Sequence, residues 1–233
     1  MKRQYTAYAK CDDTVSSLLD TLTNVSTSTS LYRETMVKIG SLLGGIISAE
    51  YGNKDYELCL AFTVEDADFL ARGILEAVEQ SNQFYDIRVA CFWNERIKAE
   101  GVSAAPIKRR YLEPSANTKQ TLVVIKSIIS GACVVKTNLR NLICEREPEN
   151  ILIASPVILE GAEERLAKEF EQGISGRFKY IHFAIDSELD GDGNVVPGIG
   201  GDVYQRLGFQ NQEEKNRLSP DIVKRRRAMF SAA

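Results

Sequence analysis

Residues 178–209 read FKYIHFAIDSELDGDGNVVPGIGGDVYQRLGF. A strand-forming run, Phe178 to Ile185, ends in Ile185-Asp186 and gives way to a polar turn, Asp190-Gly191-Asp192-Gly193-Asn194. Val195-Val196-Pro197 then leads into a glycine-rich loop, Gly198-Ile199-Gly200-Gly201-Asp202, with Arg206 close behind. Glycine has no Cβ, so its backbone can approach a flat ligand closely and adopt positive φ. Pro197 fixes one φ at the loop entrance. Such a loop can offer amides and carbonyls to the edge of a heterocycle, with Val195 or Ile199 covering its face. It also reads as a surface turn that joins a strand to a tail.

Working outward, the rest of the chain alternates strands and helices. Leu31, Met36, Ile39, Leu42, Leu43, Ile46 and Ile47 recur at helical spacing, which predicts a helix over 29–49 behind a Ser/Thr run rich in N-caps. Glu57–Phe62 reads as a strand, Thr63 with Asp66 as a capping box, and Phe69, Leu70, Ile74, Leu75 and Val78 as the apolar stripe of a second helix. Strands follow at Ile87–Trp93, Thr121–Ile125 and Ile151–Val157, with helices at 133–144 and 160–172. Short apolar strands alternating with helices predict an α/β fold: a parallel sheet with helices on both faces. Ligands in such sheets collect beyond the C-terminal strand ends, where Thr63–Asp66, Ile125–Cys133 and the glycine-rich loop are all expected.

Composition narrows the classes. The chain has 233 residues and no visible linker, so one domain over 1–233 is expected, long enough to bury about 70% of its unfolded surface. A net charge of −3 gives no global attraction for nucleic acid or an anionic membrane, and no apolar run reaches the ~18 residues of a membrane span. MKRQYTAYAKCDD has a basic start without the apolar core of a secretory signal. Five cysteines without a Cys-x-x-Cys, and one histidine, argue against a disulfide framework or a zinc site and for a reducing cytoplasm. His182 alternates with Tyr180 and Ala184 in a strand and reads as a packed strand residue rather than a base. Cys133 opens a helix, where a thiolate is favoured, but also suits a small capping position.

Residues 25–209 resemble the uracil phosphoribosyltransferase family. Its uracil-binding loop has Ile-Asp, a polar turn and Val-Pro-Gly-Leu-Gly-Asp-Ala-Gly-Asp-Arg; here Ile185-Asp186, Leu189, Val196-Pro197-Gly198-Ile199-Gly200, Asp202 and Arg206 match, with one extra glycine. Thr27-Ser28-Thr29-Ser30-Leu31-Tyr32-Arg33-Glu34 looks like that family's Thr-Ser-Thr-x-x-Phe-Arg-Glu start, and Cys91–Glu95 through Leu112-Glu113-Pro114 sits where it has a strand and a flexible arm. The resemblance implies a type I phosphoribosyltransferase fold, a homodimer, and base contacts from Val195, Gly198, Ile199, Gly200, Gly201 and Asp202. For the phosphoribosyl pyrophosphate (PRPP) loop it implies Lys126, Ser127, Ser130, Gly131, Ala132 and Cys133.

Three departures stand against the pattern. The family's PRPP loop begins with an acid that accepts from the ribose hydroxyls; Ile125 takes that place and Lys126 follows it. The family's pyrophosphate loop is Leu-Arg-Ala-Gly; the aligned residues are Val64-Glu65-Asp66-Ala67, so glutamate replaces arginine. Glu65 and Asp66 read as acids in a helix's first turn or as a carboxylate pair for Mg²⁺. The hairpin hood after the first helix is missing. Beyond Phe209 the chain adds a tail over 210–233, with a helix start at Ser219-Pro220-Asp221 and the basic run Lys224-Arg225-Arg226-Arg227, read as a solvated face or a phosphate or partner patch. The expected function is a non-catalytic relative that binds a nucleobase or nucleotide, or serves as a subunit of a larger complex. The alternatives are an active uracil phosphoribosyltransferase using Mg²⁺ and a partner-binding module without a small ligand.

Overall fold

The computed structural model of the chain describes residues 3–95, 97–99, 102–115 and 119–231. β1 (Gln4–Tyr5) and the single turn α1 (Ala7–Lys10) precede α2 (Thr14–Thr23) and the long α3 (Thr29–Tyr51). β2 (Glu57–Thr63) runs through a π-helical turn, Ala67–Ala71, into α4 (Arg72–Ser81). Next come β3 (Asp86–Asn94), β4 (Ile97–Ala99), β5 (Val102–Ala104), β6 (Ile107–Leu112), β7 (Gln120–Ile125), β8 (Ile128–Ile129) and α5 (Cys133–Arg146). β9 (Asn150–Leu159), α6 (Ala162–Ala167), α7 (Gln172–Ser175) and β10 (Phe178–Asp186) complete the core. The small ladder of β11 (Glu188–Leu189) and β12 (Val195–Val196), then α8 (Val203–Arg206), α9 (Gln212–Arg217) and α10 (Asp221–Ser231), follow.

The main sheet has the order β1-β10-β9-β7-β2-β3-β6, with β8 also paired to β9. The five central strands, β10, β9, β7, β2 and β3, are parallel to their neighbours, and only the edges β1 and β6 run antiparallel. Their apolar runs alternate between two covered faces, as a parallel sheet buried on both sides requires. In β2, Leu58, Leu60 and Phe62 join the core under α2, α3 and α4, while Cys59 and Ala61 join the core under α5 and α6. Burial pushes the Cys59 thiol up to about 12 and the Cys91 thiol well above its usual value, so both remain inert core residues.

The α/β architecture with helices on both faces is as the sequence predicts. α3 starts within the Ser/Thr run, with its N-cap Ser28 accepting from the Leu31 amide at 3.3 Å. Two local expectations are corrected. The stretch 160–172 is not one helix: α6 stops at Ala167, and Phe170 turns inward to meet Phe178 edge-on, with ring centroids 5.3 Å apart. Thr63 and Asp66 do not form a capping box, because the Thr63 hydroxyl donates to the Asp66 carboxylate (2.6 Å), which is turned to a lysine. The arm expected between Cys91 and Pro114 is built from β4, β5 and β6; residues 96, 100 and 101 within it, and Ala232 and Ala233 of the tail, lie outside the described residues. No helix among the described residues is long and apolar enough to cross a membrane.

Candidate functional site

Because the central strands are parallel, the segments after β2, β7, β9 and β10 all leave the same edge of the sheet. The glycine-rich loop there is held by groups from both ends of the chain. Asp186, fully buried, accepts from Arg3 (3.0 and 2.7 Å) and from the Gly198 amide (2.8 Å). The Tyr32 hydroxyl donates to the Ile199 carbonyl at 2.9 Å, and burial raises its pKa, which keeps it a neutral donor. Arg33 donates to the Leu207 carbonyl, while Arg206 donates to the carbonyls of Leu22 (3.0 Å) and Asn24 (2.8 Å) at the end of α2. The two stretches that carry the resemblance, 27–34 and 185–206, are therefore in contact.

These contacts divide the expected base-binding residues. Gly198, Ile199 and Gly200 point away from solvent: Ile199 is fully buried, and a Cβ on Gly198 (φ +54) or Gly200 (φ +85) would strike the carbonyl of Val195 or of Leu22. Their glycines serve close approach to protein backbone. Val195, Gly201 and Asp202 do line an open cavity of about 530 Å³. The Asp202 carboxylate is occupied in capping α8, accepting from the amides of Tyr204 (2.7 Å) and Gln205 (3.2 Å). Val195 gives this wall of the cavity an apolar side chain.

Across the cavity lies the segment between β7 and α5. Lys126, Ser130, Gly131 and Cys133 line it. Ala132 is the N-cap of α5, and its methyl group makes no side-chain cap for the helix, whose first residues, Cys133, Val134 and Val135, line the cavity. Ser127 is fully buried and its amide donates to Asp66 at 3.2 Å, so it faces inward rather than into the cavity.

The acidic loop after β2 sits behind this wall. Glu65 and Asp66 are 1% and 0% exposed and do not line the cavity. Lys126, 3% exposed, holds its ammonium 2.8 Å from Asp66 and 3.3 Å from Glu65. Lys215 of α9, also buried, reaches the second oxygen of Glu65 at 3.5 Å and the Asn94 carbonyl at 3.0 Å, beneath Tyr204. The acids are thus partners of two lysines. They do not fit Mg²⁺, which would have to displace Lys126 from both carboxylates to gain its oxygen ligands.

The tail is part of the core rather than an appendage. Trp93 Nε1 donates to the Leu218 carbonyl (2.9 Å), and Asp68 accepts from the first amides of α10 (both 2.9 Å). Within the basic run, Arg226 is 8% exposed and grips Glu113 through two bonds of 2.8 and 2.6 Å, while Arg227 lies over Tyr111. The run is a solvated face only at Lys224, Arg225 and Arg227. Sequence reasoning missed Arg3, Lys215, Tyr204 and Gln205. One signal was present for Lys126 alone: a lysine directly after β7 and two acids directly after β2 end neighbouring parallel strands, and such charges can satisfy one another.

No protein-family model matches the chain. A curated protein, uracil phosphoribosyltransferase of Haloarcula marismortui, is 25% identical over 203 residues, 78% of this chain and 87% of that protein. Among solved structures, the AQ2163 protein from Aquifex aeolicus overlays with a TM-score of 0.66 at 15% identity, covering 85% of this chain and 95% of that one. A hypoxanthine phosphoribosyltransferase from Staphylococcus aureus overlays more loosely, at a TM-score of 0.42 and 12% identity over 66% of this chain and 74% of that one. The curated match, over about four fifths of this chain, supports a phosphoribosyltransferase-type family.

Proposed function

We propose that the chain is a uracil-phosphoribosyltransferase-like protein that does not transfer phosphoribosyl groups, and that it holds a nucleobase or nucleotide between Val195, Gly201 and the start of α5. Lys126, buried against Asp66 and Glu65, carries the proposal. A transferase of this type needs a carboxylate for the ribose hydroxyls and a cation for the leaving pyrophosphate. Here Ile125 is buried at the first position and Glu65 is buried at the second. Isoleucine cannot replace charge-assisted bonds worth roughly 1.5–3 kcal/mol each. Catalysis in this chemistry depends on preorganised charge, so losing both groups removes most of it. A binding or scaffold role, as a homodimer or as a subunit of a larger complex, goes with this reading. A cytoplasmic setting agrees with five free thiols.

The test is conversion of labelled uracil with excess phosphoribosyl pyrophosphate and Mg²⁺. No turnover is expected; turnover in the ordinary enzyme range of ~1–10³ s⁻¹ overturns the proposal. The curated match favours a second reading, an active uracil phosphoribosyltransferase with rearranged binding groups, and the same assay separates the two.

A further inference from the structure

We infer that the cavity takes ligands carrying at most one phosphate and discriminates against those carrying a pyrophosphate group. This rests on the nucleobase or nucleotide reading above and names the ligand class within it. Lys126 is the one basic side chain among the described residues that line the cavity, and its charge is already matched. Its ammonium lies 2.8 Å from Asp66 and 3.3 Å from Glu65. Lys215, behind Tyr204, lies 3.5 Å from the other oxygen of Glu65. Two ammonium groups face two carboxylates, so this wall is neutral as a unit.

All four side chains are at most 3% exposed, so water does little to screen them and they cannot swing out to meet a ligand. A pyrophosphate brings several negative charges into a cavity whose other wall carries Asp192 and Asp202. Among the described residues, nothing at the rear offers uncompensated positive charge. A single phosphate is less demanding, because backbone amides near Ser130 and Gly131 can meet it without a cation. An uncharged base or nucleoside demands less still. The wall therefore acts as a charge filter, and its rule is the number of phosphates rather than the identity of the base.

The experiment is calorimetric titration of the full chain with uridine monophosphate, uridine diphosphate and phosphoribosyl pyrophosphate, each with and without Mg²⁺. The monophosphate is expected to bind at least tenfold more tightly than either of the others. A Glu65→Gln variant leaves two ammonium groups against one carboxylate, and should narrow that ratio or reverse it by strengthening the diphosphate. A role confined to folding predicts no such gain. Equal or tighter binding of either pyrophosphate-bearing ligand by the unaltered protein overturns the inference and leaves the nucleotide reading standing. An unchanged ratio in a folded Glu65→Gln protein also overturns it. Binding of none of the three, nor of uracil titrated alongside them, overturns both. The series on the unaltered protein decides the matter even where the variant does not fold.

Discussion

The glycine-rich lip and the acidic loop after β2 leave the same edge of the sheet and are held in opposite ways. The lip is fixed through its backbone: the Gly198 amide and the Ile199 carbonyl are taken by Asp186 and Tyr32, and Gly200 rests on the Leu22 carbonyl. The acidic loop is fixed through side-chain charge, with Glu65 and Asp66 enclosed by Lys126 and Lys215. Backbone contacts demand particular residue types, above all glycine, and so keep a motif visible. A neutral ion cluster demands only that charges balance, so its members can exchange sign together. A lip can thus have the look of a binding loop while its glycines serve the fold, and a loop without a recognisable motif can be held as firmly through its charges.

Lys126→Met breaks the charged side of this contrast most severely. It removes one ammonium from two buried carboxylates, and breaking a buried pair this way costs about 3–5 kcal/mol. For a chain of this size that corresponds to a fall in melting temperature of roughly 6–20 °C. Adding Asp66→Asn to the same protein removes the stranded charge and should recover part of the loss. A double variant no more stable than the single one would mean that the lysine packs rather than pairs.

The backbone side is tested by two neighbouring glycines. Gly200→Val forces a side chain to φ +85 and onto the Leu22 carbonyl, 2.2 Å from where its Cβ would lie. Strain and overpacking together should cost about 2–4 kcal/mol. Gly201→Ala also meets positive φ (+98), yet nothing lies within 4 Å of the added Cβ, so only about 1 kcal/mol of strain is expected. Gly201 faces the cavity and Gly200 does not. Melting temperature should therefore fall further for Gly200→Val, while uridine monophosphate affinity in the folded protein should respond to Gly201→Ala. The reverse pattern would assign the base contact to Gly200.

The same contrast explains what the sequence disclosed. The parallel sheet was legible because β2, β7 and β9 are largely apolar runs and these strands, with β10, place apolar side chains on both covered faces. The edge of the sheet where the cavity lies was legible because every loop of interest follows a strand of one direction. Which glycine faces the cavity was not, since Gly200 and Gly201 look alike until α2 is placed beneath one of them. The meaning of Glu65 depended on Lys215, which is far away in the chain and sits in the ordinary polar helix QEEKNR. Arg3 was equally silent, because its partner Asp186 lies at the opposite end of the sequence. Long-range polar pairs leave no periodicity, whereas apolar faces do.

The smallest expected effect concerns His182, on the strand that delivers the lip. Its ring is 8% exposed, and Nε2 lies 2.9 Å from Glu163 Oε1 on α6. Burial lowers its pKa from 6.5, and the pull of Glu163 in the other direction is the weaker influence. The unfolded chain therefore binds the proton more readily than the folded one just below pH 6.5. Stability from this group is complete above the unfolded value and is lost as pH falls toward the folded one, with a slope of at most about 1.4 kcal/mol per pH unit. His182→Gln removes that dependence while leaving an amide that can donate to Glu163. The difference in melting temperature between the two proteins should then shrink on going from pH 7 to pH 5, since only the unaltered chain loses this contribution. A difference that widens on acidification would mean that the charged ring and Glu163 form the stronger pair, and that attraction rather than burial governs this strand as it governs the loop after β2.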